Sequence, residues 1–473
     1  MSPKRFLACD LGAESGRVML GTIANDAMVL EELHRFSNQP VLLPTGLYWD
    51  MLRLFQEILN GLRVAGRTRR LPVDGIGIDT WGVDFGLLGP DGALVDNPRH
   101  YRDPRNNGMM EKTFAVVPRA QIFAETGVQF MQINSLYQLH AMSLGSSGAL
   151  ENAATLLFVP DLFNYWLTGE MKTEVTIAST SQFYNPAKKT WADGMLEQLS
   201  IPTKMLPRIV EPGVEVGSLL DSVADYTGLG PVTVYASAGH DTAAAVAAVP
   251  AEQSDFCYIS SGTWSLMGVE LNAPLINNQT LALNFTNEAG VAGTTRLLKN
   301  IAGLWLLQEC RRDWALAGKE YTYDELTQAA AEAEPYEGYI CPDAFLEPGH
   351  MPAQIAAYCE STGQPVPRTH GAMARAILEG LARRYREVLE NLEFLIGRRL
   401  MVIHIVGGGS RNRLLNQLVA NAAGRTVLAG PAEATAIGNV LVQAMGAGVI
   451  PSLAAARRLV ARSFPVERFE PAR

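Results

Sequence analysis

The chain has 473 residues, 48% of them hydrophobic and 18% charged, with a formal net charge of −9. That length is too great for one ordinary core and predicts two large domains, while the acidic balance excludes the basic footprint of a nucleic-acid binder. Five scattered cysteines, none in C-x-x-C spacing, read as reduced thiols rather than a disulfide framework or a zinc site.

In chain order, the apolar run that follows Lys4 and Arg5 stops at Asp10, too short for a signal peptide. No later stretch approaches a membrane span, so a cytoplasmic protein is expected. Residues 6–9 read as a strand, residues 10–17 as a turn rich in glycine and small polar residues, and residues 18–22 as a second strand. Such a turn presents backbone N–H groups and hydroxyls that wrap an anion such as phosphate. A P-loop or a dinucleotide fold continues into a helix, and neither G-x-x-x-x-G-K-[ST] nor G-x-G-x-x-G is present. Here the chain re-enters a strand, which makes the site a β-hairpin.

Residues 49–62 have helical spacing. Residues 76–88 read as one strand, turned by Gly89-Pro-Asp-Gly92 into another. Residues 120–199 are mainly helical and loop-like. A strand over residues 231–238 ends at Gly239-His-Asp-Thr242. The polar stretch 250–255 marks the expected boundary between two domains, 1–250 and 251–473. A second hairpin follows over residues 256–270, with the turn Ser260-Ser-Gly-Thr-Trp-Ser265. Met373, Ile377, Leu381, Tyr385, Val388, Leu392 and Leu395 mark one long amphipathic helix. After it come a strand over residues 400–406, a Gly407-Gly-Gly409 turn, a helix from about Arg413 and a last helix near Ala434. The two hairpins suggest two similar domains that grip one polyphosphate.

Seven segments in this order carry a resemblance. They are Asp10-Leu-Gly-Ala-Glu-Ser-Gly-Arg17, Asp79-Thr-Trp-Gly-Val-Asp-Phe85, Tyr101-Arg-Asp103, Gly239-His-Asp-Thr242, Ser260-Ser-Gly-Thr-Trp-Ser-Leu-Met267, Lys299-Asn-Ile-Ala-Gly-Leu-Trp-Leu-Leu-Gln308 and His404-Ile-Val-Gly-Gly-Gly409. Together they resemble the FGGY family of carbohydrate kinases over nearly the whole chain. The resemblance implies an α/β fold of two ribonuclease-H-like domains, as in actin and the heat-shock chaperone ATPases, with an ATP cleft between them.

It also implies roles. Asp10 matches a Mg²⁺ site, although a turn-capping aspartate would look the same from its neighbours alone. Ala13, Glu14, Ser15, Gly16 and Arg17 match the first phosphate loop, and the Glu14 carboxylate must point outward or act through magnesium because like charges repel. Thr263 matches the second phosphate loop, where a tight hairpin of small residues is the plainer reading. Gln308 matches a nucleotide contact, and Gly408 lets adenosine lie on bare backbone. Asp241 matches the base that deprotonates the sugar hydroxyl; the plainer reading makes Asp241 or Thr242 the N-cap of the alanine helix that follows. Gly82, His240, Asp241, Thr242 and Asn300 match sugar contacts, with Asn300 also placed to cap a helix over residues 301–316. Trp81, Trp264 and Trp305 stay unassigned, since large aromatics usually pack in cores with the N–H satisfied.

The expected activity is therefore ATP- and Mg²⁺-dependent phosphorylation of a six-carbon ketose. The wording of residues 81–84 and 239–242 leans toward L-rhamnulose, phosphorylated at O1 in rhamnose breakdown, over L-fuculose or a pentulose. An actin-like or chaperone-like ATPase shares the hairpins but needs no base in a sugar pocket. The expected partners are the sugar and ATP, with no nucleic acid and no membrane, and nothing in the sequence marks an oligomeric interface.

Overall fold

The apolar run at the N-terminus becomes strand β1 (Lys4–Leu11), buried from Phe6 onward. The chain turns back into β2 (Ser15–Ala24) and β3 (Ala27–Ser37), and all three run antiparallel. Three later strands, β4 (Gly75–Thr80), β5 (Glu215–Ser218) and β6 (Thr233–Tyr235), complete a sheet of order β5-β6-β4-β1-β2-β3. The central β1 and β4 are parallel, and their register sets Asp10 beside Asp79 while β2 sets Arg17 across from Asp10. The computed structural model describes residues 2–145, 147–253, 255–345 and 349–472. They pack as two units. Unit 1 holds residues 1–248, 270–297 and 434–463; unit 2 holds residues 249–269, 298–433 and 464–473.

Helices cover both faces of the unit 1 sheet. On one face lies the helix Met51–Arg63, capped by the Asp50 carboxylate, with Leu54, Ile58 and Leu62 buried. On the other lies the helix Ala434–Gly446, far away in sequence. It comes so close that a Cβ at Gly21 would strike Val440, and one at Gly77 would strike Asn439 and Gln443. The short helix Asp241–Ala247 packs on the same long helix, where Gly438 has no room for a Cβ against the Ala244 carbonyl. This close approach explains the alanine run after Asp241: Ala243, Ala244 and Ala247 form a core with Val291 and Val442.

The single strand expected over residues 76–88 is two strands. Gly75–Thr80 lies in the main sheet, whereas Phe85–Leu88 pairs antiparallel with Thr155–Phe158. Between them Val83 takes a φ of 70°, a conformation that a β-branched residue adopts only when its surroundings impose it. Beyond this break a second core gathers Phe85, Leu87, Phe123, Phe158 and Phe183.

Unit 2 is built on β7 (Phe256–Ser261), β8 (Ser265–Leu271), β9 (Thr295–Ile301), β10 (Val402–Val406), β11 (Thr426–Ala429) and β12 (Glu467–Phe469). They neighbour one another in the order β9-β8-β7-β10-β11-β12. β8 and β9 both run on across the boundary between the units. The long helix is His370–Ile396, capped by Thr369 and ended by Gly397. All five cysteines are free, with Cys9 and Cys257 in the core. Among the described residues no helix is long and apolar enough to cross a membrane.

The Gly438 contact gives a first prediction. Gly438→Ala should destabilise the protein by about 1–3 kcal/mol through overpacking against Ala244, read as a lower urea midpoint. An unchanged midpoint would contradict the packing.

Candidate active site

The Gly239–Thr242 segment joins the main sheet to the helix Asp241–Ala247, and Thr80 N–H donates to the Gly239 carbonyl at 2.9 Å. The N-cap of that helix is His240, which makes no side-chain cap bond, and Asp241 occupies the first helical position. The capping reading of Asp241 and Thr242 therefore does not describe this helix. Instead the Asp241 carboxylate is held from one side: its Oδ1 accepts from Thr242 N–H at 2.6 Å and from Thr242 Oγ1 at 3.2 Å. His240 Nε2 stands 3.4 Å from the same oxygen, and 31% of the Asp241 side-chain surface stays open. Burial pushes the Asp241 pKa upward; His240 pulls against this and Asp10 adds to it.

What fixes this segment was not visible in the sequence. Glu174 and Thr176 stand 65 and 64 positions away from it. Glu174 Oε2 accepts from Gly239 N–H at 2.9 Å, and Thr176 Oγ1 accepts from His240 N–H at 3.2 Å. Glu174 also caps the short helix Val175–Ala178, so one carboxylate anchors two backbone turns. Burial pushes its pKa up to about 7. Thr180, on the same segment, accepts from Val83 N–H at 3.1 Å and sits 3.3 Å from where a Cβ on Gly82 would be. Gly82 is thus a loop residue packed close to Thr180 rather than part of a strand.

Trp81 and Trp49 prove to be ligands of a carboxylate. Asp84, fully buried, accepts from Trp49 Nε1 at 2.6 Å, Trp81 Nε1 at 2.9 Å, Gln138 Nε2 at 2.9 Å and Tyr101 N–H at 3.3 Å. This hub ties the 81–84 loop to the Tyr101-Arg-Asp103 segment. Burial pushes its pKa up to about 6 despite the four donors.

At the C-terminal end of β1, Asp10 Oδ2 accepts from Arg17 Nη2 at 2.6 Å. Its neighbour Asp79 is fully buried, with Oδ2 bonded to Asn439 at 2.6 Å and Oδ1 without a partner. Burial, with Asp10 next, raises the Asp79 pKa well above the carboxylate range. The turn itself is Gly12–Glu14, since Ser15, Gly16 and Arg17 already belong to β2. Asn38 clamps it, its backbone N–H on the Glu14 carbonyl and its Nδ2 on the Gly12 carbonyl, both at 2.9 Å. Ala13 packs against the core beneath and Glu14 is exposed. Gly16 faces the Phe36 ring, which leaves no room for a Cβ. Among the described residues no three acidic, histidine or cysteine side chains converge on a metal position. Asp10 fits an ion that keeps most of its own water, which is the habit of magnesium.

In unit 2 the second hairpin closes through Gly262 N–H on the Trp264 carbonyl at 2.9 Å. Leu304 N–H and Trp305 N–H reach back to the Gly262 and Thr263 carbonyls, both at 3.1 Å, which fastens the turn to the helix Trp305–Leu316. That helix begins four residues later than expected. Asn300 lies in strand β9 and the N-cap position is Leu304, so Asn300 caps nothing. A pocket of about 1080 Å³ brings Gly262, Gln308 and Gly408 together and is also lined by Tyr323, Thr327 and Gln417. Gln308 lines it with a buried Oε1 that has no partner, and a Cβ on Gly408 would meet open space. Both features suit a bound ligand, since buried polar atoms are normally paired.

The N-terminal domain of the FGGY family of carbohydrate kinases matches residues 6–248, and its C-terminal domain matches residues 257–447. The chain belongs to this family, which bears out the resemblance of its seven segments. Among solved structures, gluconate kinase from Lactobacillus acidophilus superposes with a TM-score of 0.80 at 17% identity, covering 100% of this chain and 94% of that one. This confirms the two-domain α/β sugar-kinase fold. Rhamnulokinase from Bacteroides thetaiotaomicron is 47% identical over 470 residues, 99% of this chain and 96% of that protein. Rhamnulokinase from Pectobacterium carotovorum is 44% identical over 477 residues, 100% of this chain and 94% of that protein.

The Asp84 hub makes a pH prediction. A carboxyl raised from 3.8 to about 6 binds its proton more tightly folded than unfolded. Its contribution is neutral below the lower value, becomes a growing cost as pH rises between the two, and levels off above the higher one. Asp84→Asn lacks this term. The stability advantage of the unaltered chain over Asp84→Asn should therefore shrink by ~3 kcal/mol between about pH 4 and about pH 6.5 in urea unfolding. A difference independent of pH would contradict it.

Proposed function

We propose that this protein is a kinase that transfers the γ-phosphoryl group of ATP to O1 of L-rhamnulose, giving L-rhamnulose 1-phosphate. The observation that carries this reading is Asp241, a carboxylate pinned through one oxygen and partly open, with His240 and Thr242 beside it. The identity of 37–47% to relatives named rhamnulokinase, over essentially the whole chain, supports this sugar over L-fuculose or a pentulose.

In the proposed reaction Asp241 takes the proton of the O1 hydroxyl as O1 bonds to the γ-phosphorus. The bond from phosphorus to the bridging oxygen breaks, and ADP leaves. Such a transfer asks mainly for positioning and charge neutralisation. His240, Gly82 and Asn300 are assigned to the sugar, and Thr242 acts through its two bonds to Asp241. Gln308 and Gly408 are assigned to the nucleotide on the strength of the unit 2 pocket, and Thr263 on its place in the second hairpin turn beside Gly262. Residues 13–17 are assigned to its phosphates. Magnesium, held through water by Asp10, would neutralise phosphate charge.

An ADP-release assay over a panel of ketohexoses and ketopentoses tests the reading. L-rhamnulose should raise ADP formation far above the water-driven background and above every other sugar. If no sugar raises it, the kinase reading fails; if L-fuculose or a pentulose is preferred, the sugar assignment fails.

A further inference from the structure

Beside Asp241 lies a buried trio of which the proposed reaction uses His240 alone. Arg296 is 0% exposed, Glu288 4% and His240 6%. Arg296 Nη2 stands 3.0 Å from Glu288 Oε2 and 3.1 Å from His240 Nδ1, and Nδ1 stands 3.2 Å from the same Glu288 oxygen. Arg296 Nε donates to the Ala289 carbonyl at 3.1 Å, while Nη1 is buried without a partner. A guanidinium so enclosed is costly, and its contacts dictate which ring nitrogen of His240 carries hydrogen.

Resting on the reading that Asp241 is the base, we propose that Arg296 and Glu288 are positioning residues that keep a hydrogen on His240 Nε2, facing Asp241 Oδ1. A guanidinium only donates, so the Nδ1 beside it must offer its lone pair. A neutral ring with hydrogen on Nδ1 sets donor against donor at Arg296 and leaves a bare Nε2 against the Asp241 carboxylate. A ring with hydrogen on Nε2 has one conflict, Nδ1 facing Glu288 Oε2, and Arg296 bridges it by donating to both atoms. With hydrogen on Nε2, Oδ1 of Asp241 is surrounded by donors: Thr242 N–H, Thr242 Oγ1 and His240 Nε2. The described residues send no hydrogen bond to Oδ2, which is left to take the hydroxyl proton. In this step the O1–H bond breaks and the Oδ2–H bond forms, while O1 bonds to phosphorus and ADP departs.

Two measurements test this. Glutamine places its amide nitrogen where histidine has Nε2, and asparagine places it where histidine has Nδ1. His240→Asn should therefore lower kcat at least about 10-fold further than His240→Gln does. In ¹⁵N spectra of histidine-labelled protein, taken roughly two pH units above the ordinary histidine pKa, one of the 7 histidine signals is lost in His240→Gln. That signal should show a bare Nδ1 and a protonated Nε2, and Arg296→Met should turn it into a mixture of the two forms. A protonated Nδ1 with a bare Nε2, equal activity of the Gln and Asn variants, or a spectrum unmoved by Arg296→Met overturns the proposal. Should Arg296→Met fail to fold, the spectrum of the unaltered enzyme and the Gln/Asn pair still decide. If no sugar is phosphorylated at all, the kinase reading has failed instead, and the spectrum alone judges the state of His240.

Discussion

One carboxylate, Glu174, holds the chemistry of unit 1 in place. It accepts from Gly239 N–H, Thr176 N–H, Thr176 Oγ1 and Ile177 N–H. Removing it would strand several buried donors, each worth about 1–3 kcal/mol. The turn it caps reaches further: Thr176 takes His240 N–H, Ser179 takes Ala289 N–H and Thr180 takes Val83 N–H. Four buried residues, Glu174, Thr176, Ser179 and Thr180, thus set the mutual placement of the 81–84 loop, the Asp241 loop and the strand Thr286–Ala289 that carries Glu288.

The opposite wall of the Asp241 helix is set by small residues rather than by polar bonds. Gly438 and the alanines of residues 243–248 let two helices meet at backbone distance. The longer of them is tied to the sheet by a buried chain of amides. Asn439 donates to Asp79, and Gln443 donates to Asn439 Oδ1 and to the Leu7 carbonyl. Asp79 in turn neighbours Asp10 by strand register. The residues assigned to metal and base therefore share one rigid frame, with Glu174 on one side and the helix Ala434–Gly446 on the other.

Much of this was legible in the sequence wherever the governing physics is local. Both hairpins and the long helix His370–Ile396 follow from periodicity and turn composition, whereas the strand expected over residues 231–238 is only Thr233–Tyr235 and stops short of Gly239. The family match followed from the order of the segments. The rest depends on partners distant in the chain. Apolar patterning cannot show the break at Val83, because its left-handed backbone is imposed by Thr180 and by bonds to its carbonyl from Ser135 and Gln138. Glu174 escaped because glutamate is not a favoured N-cap residue. Asn300 was drawn into the helix after it because the apolar residues that follow suit either a strand end or a helix start. Glu288 and Arg296, charges inside strands, do carry a signal in the sequence, since such residues are seldom buried unless paired.

The central claim is that Asp241 is the base and that the frame around it serves to present it. The most direct test is single-turnover phosphoryl transfer by Asp241→Asn, with sugar and nucleotide binding measured on the same protein. The structure predicts a transfer rate lower by roughly 10²–10⁴-fold with both ligands still bound. Transfer at the unaltered rate would contradict it and leave Asp241 as no more than the first residue of its helix.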